Sequence, residues 1–500
     1  MPRTGVISLF STFWRPWYHR TMIIDGISVT ELSEYPTVAE RALASFLKFI
    51  EKKLNVSIVQ DARTTPSDRS LFEPLRLAAK LQENGIVKNF GRAATPFTDE
   101  PRTKSWYATC NDSTSHGVGG TTWENDADAL YAALAEGLER YIWFTQDDYF
   151  LSPTKTSVEG IQKKGPCIRP EEFAGFSEAQ RSISAERELR SDAEYLWITG
   201  ISLVKGVPTY LPAQIVSRAR KLHESRSEEP FIRQTTTNGL ATWPTQSGAR
   251  LAGALELIER EAYMIMWLNQ LTLPRISLPS LCARHPELAR SVEICERYRL
   301  KIHVVKLITD APTHAVAVVI EDLSDAIPRF TIGLRAHRSL STAIQKATTE
   351  ALRARRFCRT WFNEGNVWDM STPIQSIGHR DRLYYWAMPE HTRQLEFLIQ
   401  GKEIEVSVER WDNDDEEQHL QRILEWCREK NLECISVSLG TSSKNLTPWY
   451  IEMVVMPQLQ PTYLQESLQA FGGTRWRDVP KALGYTPLKK PFADRPHPFS

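Results

Sequence analysis

The sequence predicts a mixed α/β (α+β) fold in which helices pack on sheets and a strand-plus-helix unit is used more than once. Three observations predict it: amphipathic helical patterns alternate with runs of β-branched residues, glycine-rich loops lie between them, and one long stretch recurs along the chain. In one example, the helical pattern SVEICERYRL at 291–300 is followed directly by the strand pattern KIHVVKLI at 301–308. At 500 residues the chain exceeds one simple core, so we expect more than one subdomain.

The first 105 residues are predicted to form a leading subdomain, and residues 106–500 are predicted to form the main domain. An aromatic-rich segment, FWRPWYH at 13–19, opens the leading part, and a helical pattern follows at 37–54. The aromatic side chains fit two interpretations. A packed cluster is the simpler one, and a docking surface for a partner protein is the other.

The overall composition excludes several classes of function. The 61 basic residues balance 61 acidic residues, so the net charge does not attract the chain to nucleic acid or to an anionic membrane. The N-terminus lacks the pattern of a secretory signal peptide, in which a charged segment is followed by an apolar one. No apolar run approaches the roughly 18 residues of a membrane span, so we expect a cytoplasmic protein. The seven cysteines are dispersed without a CxxC pair, which predicts buried thiols rather than disulfides or a zinc site.

The strongest internal signal is a repeat. The segment GVGGTTWENDADALYAALAEGLERY at 117–141 aligns without gaps on TNGLATWPTQSGARLAGALELIERE at 237–261. Two glutamates and an arginine coincide in this alignment: Glu136 with Glu256, Glu139 with Glu259, and Arg140 with Arg260. A partial third copy at 333–355 keeps the first glutamate as Glu350 but carries Arg353 in place of the second. Such repeats are commonly one supersecondary unit, here a glycine-containing strand or loop that leads into a helix.

The spacing of the repeated glutamates indicates a charged site. Residues three positions apart share one helical face, so two carboxylates there repel each other unless a cation lies between them. Glu–Arg pairs on a solvated surface are the simpler alternative, but the apolar residues around both motifs leave little room for a wide solvated face. If the two helices face each other, four carboxylates converge, and burial of even one unpaired carboxylate costs several kcal/mol.

These residue types predict a magnesium–nucleotide site. Oxygen ligands suit Mg²⁺, which usually keeps some waters and shares its other positions with substrate phosphates, and a guanidinium group forks onto phosphate oxygens. The common nucleotide signatures are missing, because the sequence contains neither a GxxxxGK[ST] P-loop nor the HRD and DFG motifs of kinases. A GxSxG elbow and an HExxH metal motif are missing as well.

At these same residues the sequence resembles the YcaO family, in particular the cyclodehydratase components that build thiazoles and oxazoles in ribosomal peptide natural products. The resemblance covers roughly residues 110–500. It rests on four elements: the AEGLERY helix at 135–141, the block from TTNGLAT to EREAYMIMW at 236–267, the TTEALRARRF helix at 348–357 and the Pro-rich end RPHPFS at 495–500. It implies an unusual ATP-binding fold without a P-loop.

The resemblance also implies roles for individual residues. The carboxylates that would hold Mg²⁺ and ATP are those of Glu136, Glu139, Glu256 and Glu259. The guanidinium groups that would contact phosphate or organise those carboxylates are those of Arg140, Arg260 and Arg355. The C-terminal tail would lie at the active site and support cyclisation, with His497 as a candidate proton carrier.

The implied reaction converts Cys, Ser or Thr residues of a precursor peptide into thiazoline or oxazoline rings at the expense of ATP. The side chain attacks the preceding carbonyl carbon, the former amide oxygen takes the γ-phosphoryl group, and phosphate then leaves. This chemistry belongs to the biosynthesis of bacteriocin-type products. It requires mainly positioning and charge neutralisation from the protein.

Two departures from the family pattern leave alternatives open. Many relatives carry a further glutamate where Gly248 stands here, and an aspartate is more usual at Glu261. Glu350 is a carboxylate that would have to compensate for the first departure. The alternatives are a YcaO enzyme that forms a thioamide or an amidine, and a catalytically silent docking scaffold that hydrolyses no ATP.

The sequence also predicts partners. It shows neither a leader-recognition domain of convincing length nor a flavin site, so we expect a separate partner protein of the ubiquitin-activating-enzyme-like or winged-helix type to present the precursor peptide. If the final products are azoles, a separate flavin-dependent dehydrogenase is also expected. The oligomeric state is left open between a monomer and a homodimer.

Overall fold

A computed structural model describes residues 71–93, 97–111, 117–145, 153–190, 192–217, 229–324, 326–406, 411–441 and 449–499, with two short strands nearer the N-terminus. The chain divides after Ser70 into two compact units. In the first unit, strands β1 (Ile23–Ile24) and β2 (Ile27–Ser28) pair antiparallel. The predicted aromatic segment at 13–19 and the predicted helix at 37–54 lie outside the described residues.

The second unit alternates strands and helices. Its strands are β3 (Val87–Arg92), β4 (Lys104–Cys110), β5 (Gly117–Thr122), β6 (Thr154–Ser157), β7 (Glu194–Ser202), β8 (Val207–Pro212), β9 (Leu240–Trp243), β10 (Arg275–Ile276), β11 (Leu300–Lys306), β12 (His314–Asp322), β13 (Phe330–His337), β14 (Glu403–Ile404), β15 (Ile435–Thr441) and β16 (Tyr450–Val455). Its α-helices are α1 (Phe72–Glu83), α2 (Asp126–Thr145), α3 (Val158–Gln162), α4 (Glu178–Arg181), α5 (Ala213–Val216), α6 (Gln246–Leu268), α7 (Pro279–Arg284), α8 (Pro286–Arg297), α9 (Leu340–Asn363), α10 (Asp381–Ala387), α11 (Pro389–Thr392), α12 (Glu416–Glu429) and α13 (Arg475–Ala482). Short 3₁₀ helices lie at Pro170–Glu172, Ala185–Arg187, Ile374–Ser376, Arg393–Ile399 and Glu466–Leu468.

Three sheets organise this unit. Strands β3, β4 and β5 form an antiparallel sheet in that order. A second sheet has the order β6-β7-β15-β16-β9, with β8 also paired to β7. The third sheet has the order β13-β12-β11-β10-β14 and is antiparallel except for the parallel pair of β10 with β14.

The sequence repeat corresponds to a structural repeat. Strands β5, β9 and β13 each lie at one end of their sheet's strand order, and each is followed directly by a long helix: α2, α6 and α9. Each of these helices packs against the strand that precedes it. The predicted mixed fold with a reused strand-plus-helix unit is therefore confirmed.

Glycines set the distance between strand and helix in two of the three strand-plus-helix repeat units. A Cβ atom at Gly120 of β5 would lie 1.9 Å from the carbonyl oxygen of Ala129 in α2. One at Gly333 of β13 would lie 2.0 Å from the carbonyl oxygen of Ala347 in α9. Such distances are far below van der Waals contact, so each helix backbone rests directly on its strand, and a side chain on the strand would push the two apart.

Helix α6 is buried on almost every side. Its first turn is capped by Thr245, whose hydroxyl accepts a hydrogen bond from the backbone NH of Gly248 at 3.1 Å. Tyr263, Met264 and Trp267 are fully buried farther along the helix. A helix that is apolar around its circumference lies in the protein interior, so its charged residues need partners there. These charged residues are Arg250, Glu256, Glu259, Arg260 and Glu261.

All seven cysteines are free thiols. Five of them are buried, whereas Cys167 and Cys282 are half-buried, so the prediction of buried thiols is wrong for these two. In the part of the chain that the structure describes, no helix has the length and apolar character needed to cross a membrane.

The contact at Gly120 predicts a selective loss of stability. Gly120→Ala forces β5 away from α2, and we expect the free energy of unfolding to fall by about 1–3 kcal/mol, the usual cost of overpacking. Gly117→Ala is the matched control, because it lies on the same strand and a Cβ atom there meets nothing within 4 Å. Urea unfolding of both variants measures the difference. Equal effects of the two substitutions would contradict the proposed contact.

Candidate active site

In the first two repeat units, the second glutamate of the motif joins the long helix to the strand of the next repeat unit. Glu139 of α2 accepts a hydrogen bond from the backbone NH of Thr242 in β9 at 2.6 Å. Glu259 of α6 accepts one from the backbone NH of Ala336 in β13 at 2.9 Å. The repeat unit formed by β5 and α2 is therefore bonded to the one formed by β9 and α6, and that one is bonded to the repeat unit formed by β13 and α9.

The third helix closes this ring with the opposite charge. Arg353 of α9 stands at the position of the second glutamate and donates to the carbonyl oxygen of Gly119 in β5 at 2.9 Å. Because β5 presents a carbonyl oxygen at this point, the side chain that reaches it must be a donor. This explains why the third copy of the motif carries an arginine where the other two carry a glutamate.

The first glutamate of the motif binds the strand of its own unit in the second and third copies. Glu256 accepts from the backbone NH of Gly239 at 2.9 Å, and Glu350 accepts from the backbone NH of Leu334 at 2.7 Å. Gly239 lies in the turn directly before β9, and Leu334 lies within β13, which is an edge strand of its sheet, so these bonds hold the carboxylates beside backbone NH groups that need an acceptor.

The two arginines of the motif lie beside these carboxylates. Arg260 pairs with Glu256 at 3.2 Å and also bonds to Glu259. In the first repeat unit, Arg140 lies 3.5 Å from Glu136 and donates to the hydroxyl of Thr237, which belongs to the loop before β9.

Burial disfavours the charged forms of the carboxyl groups in this cluster. The pKa of Glu139 is raised to about 8, first by burial and then by the charge of Glu136, against the opposing effect of Arg140. Burial also raises the pKa values of Glu256 and Glu350, although an arginine lies near each of them. A cation bound between the carboxylates would lower these pKa values again, so the site is suited to a positive ion.

The residues fit a magnesium ion that is shared with a phosphate ligand. Every anionic donor in the cluster is a carboxylate oxygen, which Mg²⁺ prefers. Across the described ranges, no three His, Cys, Asp or Glu side chains come close enough together to hold a metal ion by themselves. Mg²⁺ commonly takes only one or two carboxylates and fills its remaining positions with water and phosphate, so the arrangement suits a magnesium–nucleotide complex better than a closed metal site.

Arg355 points away from this cluster. Its Nε donates to Glu100 at 2.9 Å, its Nη1 donates to the carbonyl oxygen of Pro328 at 3.0 Å, and its Nη2 pairs with Asp322. All of these groups lie in the interior, where an unpaired guanidinium would be costly. Arg355 therefore belongs to an internal ion-pair network, and its contact with phosphate stays a prediction.

His497 is buried and neutral. Its Nε2 lies 3.2 Å from the carbonyl oxygen of Tyr463, which assigns the ring proton to Nε2. Burial holds its pKa well below the usual value. The ring packs edge-on between Tyr263 and Tyr463, with centroid distances of 5.8 and 4.9 Å. Its role as a proton carrier stays a prediction.

The C-terminal tail lies against the cluster through Phe499. The Arg260 guanidinium stands over the Phe499 ring, 4.4 Å from its centroid. The tail is held by the hydroxyl of Tyr263, which accepts from the backbone NH of Phe499 at 3.1 Å, and by the indole of Trp386, which donates to the carbonyl oxygen of Pro496 at 3.0 Å. Phe499 lies within the Pro-rich end, but the sequence alone did not predict that its ring would contact Arg260.

The structure also explains the glycine at position 248. A Cβ atom there would lie 1.9 Å from the indole of Trp243, so no other residue fits while that ring stays in place. Glu416, from the acidic run at 412–417, accepts hydrogen bonds from the Trp243 indole and the Thr245 hydroxyl, both at 2.6 Å. Runs of charged residues usually form solvated surfaces, so the sequence alone does not predict this contact.

Glu261 lies outside the cluster. Arg475 binds it in a bidentate manner at 2.7 and 2.8 Å, and the backbone NH of Gln460 donates to it at 3.0 Å. The change from the more usual aspartate therefore affects the packing of α6 against α13 rather than the four glutamates.

A protein-family model matches residues 122–460, and its description is a YcaO cyclodehydratase that binds ATP and Mg²⁺. The chain belongs to the YcaO family. This confirms the resemblance seen in the two glutamate–arginine motifs, and it agrees with the oxygen-rich cluster that the fold assembles. No curated protein matches the sequence.

Solved structures show that the fold is shared with other YcaO proteins. A heterocyclase in complex with substrate and cofactor superposes with a TM-score of 0.67 at 20% identity, over 85% of this chain and 57% of that chain. YcaO from Methanopyrus kandleri, bound with AMPPCP and Mg²⁺, gives 0.58 at 15% identity, over 81% of this chain and 94% of that chain. In the Escherichia coli microcin synthetase McbBCD complex, a chain gives 0.52 at 13% identity, over 74% of this chain and 87% of that chain.

At these identities the likeness shows a common fold. The chain spans a little over half the length of the heterocyclase that it matches, so the activity, substrates and partners of the whole protein are matters for proposal.

The raised pKa of Glu139 predicts how stability depends on pH. A carboxyl group with a folded pKa of about 8 and an ordinary pKa of 4.5 stabilises the folded state less and less as pH rises between these values. Glu139→Gln keeps an acceptor oxygen for Thr242 but cannot ionise. We therefore expect the unfolding free energy of the variant, relative to that of wild type, to rise by about 3 kcal/mol between pH 5 and pH 8.

Urea unfolding at both pH values, without nucleotide or divalent metal, measures this gain. Glu178→Gln, on the exposed face of α4, is the control for the amide substitution itself. If the unfolding free energies of the Glu139 variant and of wild type change in parallel with pH, burial does not raise the pKa of Glu139.

Proposed function

We propose that this protein is an ATP- and Mg²⁺-dependent peptide cyclodehydratase. Its substrate would be a ribosomal precursor peptide, in which Cys, Ser or Thr residues become thiazoline or oxazoline rings. The observation that carries the proposal is the cluster of four glutamates from two repeated helices, which outnumber the two arginines of the same motifs, in a chain of the YcaO family.

In this proposal the carboxylates of the repeated motifs in α2 and α6 hold the metal and the nucleotide. These carboxylates are those of Glu136, Glu139, Glu256 and Glu259. Arg140 and Arg260 keep the carboxylates in place and present guanidinium groups to phosphate oxygens. Bound Mg²⁺ would supply neutralisation of the phosphate charge.

The substrate supplies the nucleophile of the reaction. Its side-chain sulfur or oxygen attacks the preceding carbonyl carbon, and the former carbonyl oxygen then accepts the γ-phosphoryl group of ATP. The C–O bond breaks, phosphate and ADP are released, and a C=N bond remains in a five-membered ring. Because no protein nucleophile takes part, the protein mainly positions the groups and stabilises charge.

The tail would support the reaction by covering one side of the site. The Phe499 ring lies on the Arg260 guanidinium, so it shields that group from solvent. A shielded guanidinium interacts more strongly with phosphate, and exclusion of water protects the activated amide from hydrolysis. His497 is proposed to assist only through the tail, because its Nε2 is occupied by the carbonyl oxygen of Tyr463.

Partners are part of the proposal. A separate protein of the ubiquitin-activating-enzyme-like or winged-helix type would present the precursor peptide, with residues 1–105 as the proposed docking region, and a flavin-dependent dehydrogenase would oxidise azolines if azoles are made. A known neighbour in fold is a chain of the microcin synthetase complex, which supports an assembly of this kind. The purified chain alone should then act weakly, and the presenting partner should increase its rate.

A catalytically silent scaffold is the second candidate function. The observation that favours it is the Trp243 indole, which fills the space beside Gly248 where many relatives carry a glutamate. A scaffold would fold and bind its partners but would not bind ATP.

Nucleotide binding separates the two functions. We expect calorimetry with Mg²⁺ and ATP to give a single-site isotherm for wild type, and Glu256→Gln combined with Glu259→Gln to weaken binding by about a hundredfold or more, because both substitutions remove charge that a metal ion needs. Both glutamines keep the acceptor oxygens for Gly239 and Ala336.

The exposed pair Glu178→Gln and Glu188→Gln controls for the change in net charge. Circular dichroism of each variant shows whether it is folded. If folded wild type fails to bind ATP even with its presenting partner, the scaffold function replaces the enzymatic one.

Product mass identifies the reaction. Each azoline formed from a precursor peptide should lower the peptide mass by one water, because the carbonyl oxygen leaves as phosphate. High-resolution mass spectrometry measures this loss, and the same peptide with its Cys, Ser and Thr residues replaced by Ala is the control. A mass change that indicates exchange of oxygen for sulfur would instead identify a thioamide-forming YcaO enzyme.

A further inference from the structure

A narrow cavity adjoins the glutamate cluster along α6. It is lined by Leu257 and Arg260 of the helix, by the loop at 233–238 that precedes β9, and by Gln460 after β16. Its volume is about 20 Å³, which is room for about one water-sized group. A ligand that reaches into it can therefore insert a single oxygen atom or a group of that size, and not a ring.

Arg233 contributes a guanidinium to this cavity that has no counter-charge among the residues that the structure describes. It lines the cavity together with Arg260, and its aromatic neighbour is the Phe173 ring, 5.7 Å from the guanidinium carbon. No carboxylate among the described residues pairs with it, and burial alone lowers the pKa of Arg233 to about 10. The group is therefore still charged at neutral pH, and a half-buried charge with unused donors is costly unless an anion joins it.

The loop around Arg233 is held firmly in place. On one side of it, the backbone NH of Ile232 donates to the Gln214 side chain at 3.0 Å. On the other side, the Gln234 side chain accepts from the backbone NH of Leu464 at 2.6 Å. The residues on both sides of Arg233 are thus held in place, and its guanidinium makes no ion pair with any described residue. A rigid loop that presents an unpaired guanidinium is the arrangement of a preorganised binding group.

We propose that Arg233 binds an oxygen of the γ-phosphoryl group of ATP; this inference rests on the proposed function, because that function supplies the nucleotide. Arg260, which lines the same cavity, already bonds Glu256 and Glu259. The cavity therefore borders the carboxylates proposed for the metal. Those carboxylates pair with Arg260, whereas the Arg233 guanidinium in the same cavity is left for an anionic ligand. The planar donors of a guanidinium match phosphoryl oxygens, and the size of the cavity admits one of them.

The test compares two nucleotides that differ by this phosphoryl group. Calorimetry with Mg²⁺ and AMPPCP, and with Mg²⁺ and ADP, is run on wild type and on Arg233→Met. We expect the substitution to weaken AMPPCP binding by about ten- to a hundredfold, the usual loss for a charge-assisted hydrogen bond, and ADP binding by less than about threefold.

Arg187→Met is the matched control. The Arg187 guanidinium also lies over a phenylalanine ring, that of Phe176 at 4.2 Å, and it does not line the cavity. The control should bind both nucleotides as wild type does, and Arg233→Lys should recover part of the AMPPCP affinity because it restores the charge. Unchanged AMPPCP binding in Arg233→Met, or an equal loss for both nucleotides, overturns the assignment.

A second probe separates this inference from the proposed function. If wild type binds neither nucleotide, the proposed function fails, and inorganic phosphate is then used alone. A rise in the melting temperature of wild type with phosphate, absent in Arg233→Met and retained in Arg187→Met, supports an oxyanion contact at Arg233. Equal rises in all three proteins, or no rise in any, overturn that contact as well. The melting temperatures without phosphate report whether each variant is folded.

Discussion

Side-chain hydrogen bonds to the backbone of the neighbouring unit are the constraint on which the rest of the site depends. Through Glu139, Glu259 and Arg353, each helix is bonded to a strand of another unit, and the three units close into a ring. Two of these three side chains are also candidates for the metal site. The same carboxylates thus fix the distance between the units and set the charge at their junction.

The charge pattern follows from this geometry. A strand that offers an NH group at the junction requires an acceptor, and one that offers a carbonyl oxygen requires a donor. The strands β9 and β13 present an NH group and are bonded by glutamates, so carboxyl groups accumulate on α2 and α6. The third strand, β5, presents a carbonyl oxygen and is bonded by Arg353, which leaves Glu350 as the only carboxylate that α9 contributes from the motif. The distribution of carboxylates over the three helices is asymmetric because two of the strands present an NH group at the junction and the third presents a carbonyl oxygen.

The features that the sequence predicts correctly are those that repeat locally. Glycine-containing strands, helical periodicity and the positions of Glu136, Glu139, Glu256 and Glu259 all follow from patterns within short windows. The internal pairing of Arg355 with Glu100 could not be predicted, because it joins residues far apart in the chain. The contacts of Phe499 depend in the same way on how the tail packs.

Glu416 shows the same limit for a charged segment. Composition assigns the acidic run at 412–417 to solvent, whereas the fold brings one of its carboxylates to the start of α6. A single sequence holds no sign of this contact, because the indole and hydroxyl that bind Glu416 look like ordinary residues of a strand and a helix cap. Tertiary packing alone distinguishes it from its acidic neighbours.

The indole of Trp243 has a consequence for how this protein could have diverged from its relatives. A glutamate at position 248 cannot coexist with that ring, since even a Cβ atom would lie 1.9 Å from it. Loss of the ring alone would in turn leave Glu416 without one of its two donors and open a void at the start of α6. The two positions are therefore coupled, and a mutational path between the two arrangements must either pass through a less stable intermediate or change both residues together.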